Sequence, residues 1–164
     1  MSRISSQTAM PGPVSRARNK ATSVDRAATA LQLLLVEDEP AIAQMYRLEL
    51  EQAGYAVAIA ADGIIALELT QRIRPDVIVL DLRLPRLDGL GVLTRLKASG
   101  ETAAIPVVIV SNDSEPRVVA EASRLGASEY LLKSRTSPTA LAERVAHWAR
   151  AASIARKAWR DRYG

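Results

Sequence analysis

Five short apolar runs alternate with longer stretches of helical spacing, and this alternation constrains the chain more than any other feature. The runs are LQLLLV at 31–36, YAVAIA at 55–60, DVIVL at 76–80, PVVIV at 106–110 and SEYLL at 128–132. Runs this short and continuous suit strands buried on both faces. Behind the first run, the acidic Glu37-Asp38-Glu39 with Pro40 reads as a helix start. Ile42, Met45, Tyr46, Glu49, Leu50 and Ala53 then recur at helical spacing, and Gly54 ends the segment. Further helices are expected over 64–73, through Leu90, Leu93 and Leu96, over 115–125 closed by Gly126, and from the Ser137-Pro138 cap to about Trp159. Strand and helix repeat five times. Right-handed crossovers then leave one architecture: α/β, with a doubly wound five-stranded parallel sheet and helices on both faces.

Composition limits what such a sheet holds. The chain has 164 residues, 48% of them hydrophobic, with no Phe and two Trp, so its core is aliphatic. It has no Cys, which excludes disulfides and thiolate metal sites. The single His, His147, argues against a His-based metal site or catalytic dyad. No run approaches the ~20 apolar residues of a membrane span, and the N-terminus lacks the apolar core of a secretory leader. The cytoplasm is the expected location.

The net charge of +4 hides a division. Residues 1–30 hold Arg3, Arg16, Arg18, Lys20 and Arg26 against Asp25, and residues 150–164 hold Arg150, Arg156, Lys157, Arg160 and Arg162 against Asp161. Each end is +4, which leaves 31–149 at −4. Residues 1–30, with Pro11, Gly12, Pro13 and scattered Ser and Thr, read as a disordered basic tail; poverty in acids also fits a transit peptide. Residues 31–149 read as the domain and 150–164 as a basic extension of its last helix. Basic ends serve as solubilising tails or as binders of nucleic acid or anionic membrane.

In a doubly wound sheet, function sits beyond the C-terminal ends of the strands. The residues there are Glu37 and Asp38, Asp81, Ser111 and Lys133. Singly, each has a plain structural reading: helix cap, turn, surface hydroxyl, solvated charge. Together they make a chemistry. Three crowded carboxylates call for a cation between them. Oxygen ligands without His or Cys favour a hard ion, and Mg²⁺ suits such a site. A Lys and a hydroxyl beside it suit phosphoryl oxygens, and an Asp there is a candidate nucleophile in phosphoryl transfer.

At this point the chain resembles the receiver domain of two-component response regulators, with a flavodoxin-like (βα)5 fold of the single-domain, chemotaxis-regulator kind. The resemblance rests on LLLVEDEP at 33–40, AGYAV at 53–57, AADGIIAL at 60–67, PDVIVLDLRLPRLDGL at 75–90, IPVVIVSND at 105–113 and GASEYLLKS at 126–134. It implies that Asp81 is the phosphorylated residue and that Asp38, Glu37 and the backbone carbonyl of Arg83 serve a Mg²⁺ ion. It implies that Ser111 is the switch hydroxyl, that Lys133 pairs with phosphoryl oxygens, and that Tyr130 moves inward with the hydroxyl. It further implies a histidine kinase or histidine phosphotransfer protein as donor, and an output surface on the fourth helix, fifth strand and fifth helix. The protein is then a phosphoacceptor switch with intrinsic autophosphorylation and autodephosphorylation capacity rather than an enzyme of metabolism.

Two departures, besides the mild one of Leu84 for a common Met, and one flanking pair bear on that site. Ser134 follows Lys133 where the family has Pro in a cis bond. Asn112 stands where a small residue is usual and narrows access. Arg83 and Asp113 occupy the two positions flanking the mouth, and a pair between them is expected to set the lifetime of the phosphoryl group. A further feature lies in the last helix, where Leu141, Val145, Trp148, Ala152, Ala155 and Trp159 repeat as a heptad seam suited to a homodimer or a partner helix. The alternative function is a receiver-like scaffold that needs no phosphorylation. Specific DNA reading is not expected, since no DNA-binding motif follows the domain. An Asp-nucleophile phosphatase would need a second Asp two residues after Asp81, where Arg83 stands.

Overall fold

Residue-by-residue alternation in the strands fixes which helices cover which face. A computed structural model describes residues 30–164; the expectation of a disordered tail falls on 1–29, outside the described residues. The strands are β1 Gln32–Val36, β2 Ala56–Ala60, β3 Val77–Leu80, β4 Val107–Ser111 and β5 Glu129–Leu132. The helices are α1 Pro40–Gln52, α2 Gly63–Ile73, α3 Gly89–Ala98, α4 Pro116–Arg124 and α5 Pro138–Tyr163, with a 3₁₀ turn at Lys133–Arg135. All strand pairs are parallel, in the order β2-β1-β3-β4-β5. Leu33, Leu35, Val77, Val79, Val108 and Val110 face one side, where Ala43, Tyr46 and Leu50 of α1 and Leu141, Val145 and Ala149 of α5 pack on them. Leu34, Val36, Ile78, Leu80, Val107 and Ile109 face the other, under Ala66 of α2, Val92, Leu93 and Leu96 of α3 and Ala122 of α4. Each fully buried Leu or Ile in these layers contributes about 2 kcal/mol.

The turn chemistry follows the sequence closely. Gly54 and Gly126 both adopt positive φ after their helices, as C-terminal stops require. Asp62, Asp88 and Ser137 cap α2, α3 and α5 through side-chain oxygens. One expected cap is absent: Glu39 precedes Pro40 but makes no side-chain bond to α1. Pro40 starts that helix without a side-chain cap, and Glu39 N donates to Glu37 Oε1 at 3.2 Å.

The heptad seam of α5 divides in two. Leu141 and Val145 belong to the domain's own core, and half-buried Trp148 donates its indole N–H to Glu129 Oε2 at 2.7 Å. The first half of the seam is therefore internal packing, not a free face. Beyond Arg150 the helix runs on beneath the N-terminal ends of the strands. There Arg156 pairs with Asp76, and Ala152, Ala155 and Trp159 line a groove with Pro75, Ile105 and Pro106. Ile154, Trp159 and Tyr163 are each about two-thirds exposed. No described helix is long and apolar enough to cross a membrane.

Candidate functional site

The strand order reverses between β1 and β3, and a crevice opens beyond their C-terminal ends. Two backbone bonds carry the ladder one step past the strands: Glu37 N donates to Ala60 O and Asp81 N to Val36 O, each at 3.0 Å. They set Glu37 and Asp81 side by side. Oxygens of Glu37, Asp38 and Asp81 lie within 4.8 Å of one another. Glu37 and Asp81 are buried while Asp38 is exposed at the mouth.

Lys133, at the end of β5, reaches across to this cluster. Its ammonium donates to Asp81 Oδ2 at 2.8 Å and to Glu37 Oε2 at 2.7 Å. Burial alone would lower the Lys133 pKa; the bonds to Asp81 and Glu37 outweigh it and raise the pKa above the ordinary lysine value. Glu37 moves the same way. Burial raises it, the bonds from Lys133 and the Glu39 amide oppose, and the net position stays above the usual carboxylate value. The other Asp81 oxygen, Oδ1, accepts from Leu82 N at 2.7 Å and Arg83 N at 3.4 Å. The carboxylate is thus held by a cation on one oxygen and by backbone amides on the other.

Ser111 is buried at the end of β4, and its hydroxyl accepts from Asp113 N at 3.1 Å. Tyr130 points its hydroxyl at the same residue, donating to Asp113 O at 2.7 Å. Asp113 therefore links the Ser111 hydroxyl to β5. Sequence reasoning named all three residues but not this bridge.

The mouth corrects one expectation. Asp38, Arg83, Leu84, Pro85, Asp88, Asp113 and Val118 line a groove of about 490 Å³ beside the carboxylates. Arg83 and Asp113 both reach it, but no ion pair joins them; Asp113 Oδ1 accepts from Glu115 N at 2.9 Å instead. Asn112 is exposed and is not among the residues that line this groove. The Lys133-Ser134 segment enters a short 3₁₀ turn, and no described peptide is cis.

The donor set fits a hard divalent cation. All three groups are carboxylates, no His or Cys stands near, and three negative charges face a single ammonium. The model of the response regulator receiver domain family matches residues 33–146 of this chain. The chain belongs to that family. The response regulator MprA of Mycobacterium leprae is 40% identical over 116 residues, which cover 71% of this chain and 48% of MprA. The chain spans about half the length of the curated relatives it matches. The chemotaxis response regulator CheY4 of Vibrio cholerae superposes with a TM-score of 0.68 at 29% identity, over 73% of this chain and 99% of that one. The receiver domain of a sensor histidine kinase from Pseudomonas aeruginosa superposes with a TM-score of 0.67 at 28% identity, over 74% and 98%. That receiver domain holds a magnesium ion in its active site cleft.

Proposed function

We propose that this receiver domain is a phosphorylation switch. Asp81 accepts a phosphoryl group from the phosphohistidine of a histidine kinase or phosphotransfer protein. The observation that carries this reading is the convergence of the Glu37, Asp38 and Asp81 carboxylates, with Glu37 and Asp81 both bonded to the Lys133 ammonium. Glu37, Asp38 and Asp81, with the Arg83 carbonyl, would hold Mg²⁺, which when bound offsets the negative charge of the entering phosphoryl group. An Asp81 oxygen forms the P–O bond as the donor's P–N bond breaks, and the imidazole leaves with the electron pair. Lys133, already bonded to Asp81 Oδ2, is in reach of the new phosphoryl oxygens. The Ser111 hydroxyl turns toward them and leaves the Asp113 amide, and Asp113 passes that change to Tyr130 through its carbonyl. The protein assists uptake and hydrolysis without being an enzyme of metabolism, and it works in the cytoplasm.

The downstream target binds the α4–β5–α5 face. Met45 and Leu48 are exposed on α1, which begins two residues past Asp38, and offer apolar contact to the phosphodonor. A homodimer through the last helix would use the exposed Ile154, Trp159 and Tyr163, which lie beyond the part of the helix packed in the domain's own core. The test is incubation with labelled acetyl phosphate and Mg²⁺. Acid-labile label is expected on the wild type, and none on Asp81→Asn or with chelator present. An unlabelled wild type would sink the proposal in favour of a phosphorylation-independent scaffold.

A further inference from the structure

The loop from Asp81 to Gly89 carries the phosphoacceptor at one end and the Arg83 carbonyl inside it, so its path sets the geometry of the site. That path is strained. Leu87 N donates to Pro85 O at 2.8 Å, and Arg86 between them has φ +67. A three-residue turn with a bulky residue at positive φ is a costly γ-turn. Such a conformation persists only where the surroundings hold it.

The holding contacts come from α2. Arg86 Nη1 lies 3.2 Å from Asp62 Oδ2, with side chains 59% and 10% exposed respectively. Asp62 is itself fixed, because Oδ1 accepts from Ile65 N at 2.8 Å as the cap of α2. The bond from Ile65 lowers the Asp62 pKa, burial opposes it, and Arg86 lowers it further, so the carboxylate stays charged. Beside it, a Cβ on Gly63 would lie 2.0 Å from Leu87 O, so α2 presses directly on the loop backbone. At the other end Gly89 N donates to Leu82 O at 2.8 Å and closes the loop on itself.

We propose that Asp62 and Arg86 are a positioning pair for the site. Their ion pair holds the 85–87 turn against α2, and the turn sets where the Arg83 segment stands relative to Asp81. Neither side chain touches the reacting atoms. The metal and phosphoryl consequences rest on the reading of Asp81 above; the holding of the loop does not.

The experiment uses the full chain with Arg86→Ala, Arg86→Lys, Arg86→Gly and Asp62→Asn. Asn still caps α2, so Asp62→Asn removes the charge and keeps the helix. Two readouts apply: amide hydrogen exchange across 82–88 without metal, and Mg²⁺ affinity by titration calorimetry. Arg86→Ala and Asp62→Asn should each speed loop exchange and weaken Mg²⁺ binding by about threefold, the scale of a half-exposed ion pair. Arg86→Lys should recover most of both. Arg86→Gly relaxes the turn but deletes the pair, so it should still exchange faster than wild type. Wild-type exchange in Arg86→Ala and Asp62→Asn overturns the proposal, as does full recovery in Arg86→Gly. A loop that loosens in Arg86→Ala while Asp81 takes no phosphoryl group supports the positioning pair and places the failure in the phosphoacceptor reading.

Discussion

Lys133 is the internal cation of a cluster that otherwise carries three negative charges. Its raised pKa stabilises the fold at any pH below the unfolded lysine value and is lost only as pH rises through the higher folded value. Glu37 works in the opposite sense. An acid with a raised folded pKa favours its protonated form when folded. Stability therefore falls as pH climbs from the unfolded carboxylate value through the folded one, and stays reduced at neutrality. Glu37→Gln should accordingly be the more stable protein at pH 7 in chelator. The gain should vanish near pH 4, where the wild type is also protonated. Thermal melts from pH 4 to 8 check this; a Gln variant less stable at pH 7 would refute it. At the mouth, Arg83 and Asp113 are not partners. Their effects on aspartyl-phosphate lifetime should then be independent, with Arg83→Ala and Asp113→Ala dephosphorylation rates multiplying in the double variant. Rates that fail to multiply would restore a pairing. Glu37, Asp38, Asp81, Ser111 and Lys133 were legible because each follows an apolar run. Asp62 with Arg86 was not, because the sequence gives no sign that residue 86 adopts a left-handed turn or that 62 and 86 meet.

The strands and helices were legible for a simple reason: nearly every one is bounded by Gly, Pro or a capping side chain, and those residues act locally. Gly54 and Gly126 stop their helices with positive φ, and Ser137-Pro138 starts α5. What periodicity could not supply was contact between elements remote in sequence. Met45 falls at helical spacing with Tyr46 and Leu50, yet it faces solvent while Ala43 is buried. The heptad in α5 likewise has the period of a coiled coil because the same spacing serves packing on a sheet. Gly63 shows the cost of a contact invisible in sequence. Ala there would drive its methyl into the Leu87 carbonyl, a backbone group that moves only with the whole loop. Gly63→Ala should cost about 3 kcal/mol. Gly100 has open space around it, so Gly100→Ala should change stability by less than about 1 kcal/mol. Denaturant titration of the two variants separates them; equal stability would mean that α2 does not press on the loop.

The molecule has two unlike ends. The carboxylates of the site gather at the C-terminal ends of the strands, whereas the basic continuation of α5 passes beneath their N-terminal ends. Arg156 is anchored on Asp76 at the entrance to β3, and Asp81 stands at its exit, about 16 Å away along the strand. Residues 1–29 are also basic. The core face of α5 is complete by Ala149, and beyond it Arg156–Asp76 is a half-exposed ion pair of modest worth. Deleting 150–164 should therefore lower Tm by no more than about 4 °C and leave labelling of Asp81 by acetyl phosphate unchanged. Net charge should fall from +4 to zero, since the deleted segment carries +4. Any binding of the full chain to duplex DNA should be indifferent to sequence and fade as salt rises, and the deletion should weaken it. Calorimetry, acetyl phosphate labelling and a salt series on both chains measure the three effects. If the shortened chain labels poorly, the two ends of the sheet are coupled, and the extension belongs to the switch rather than to its surroundings.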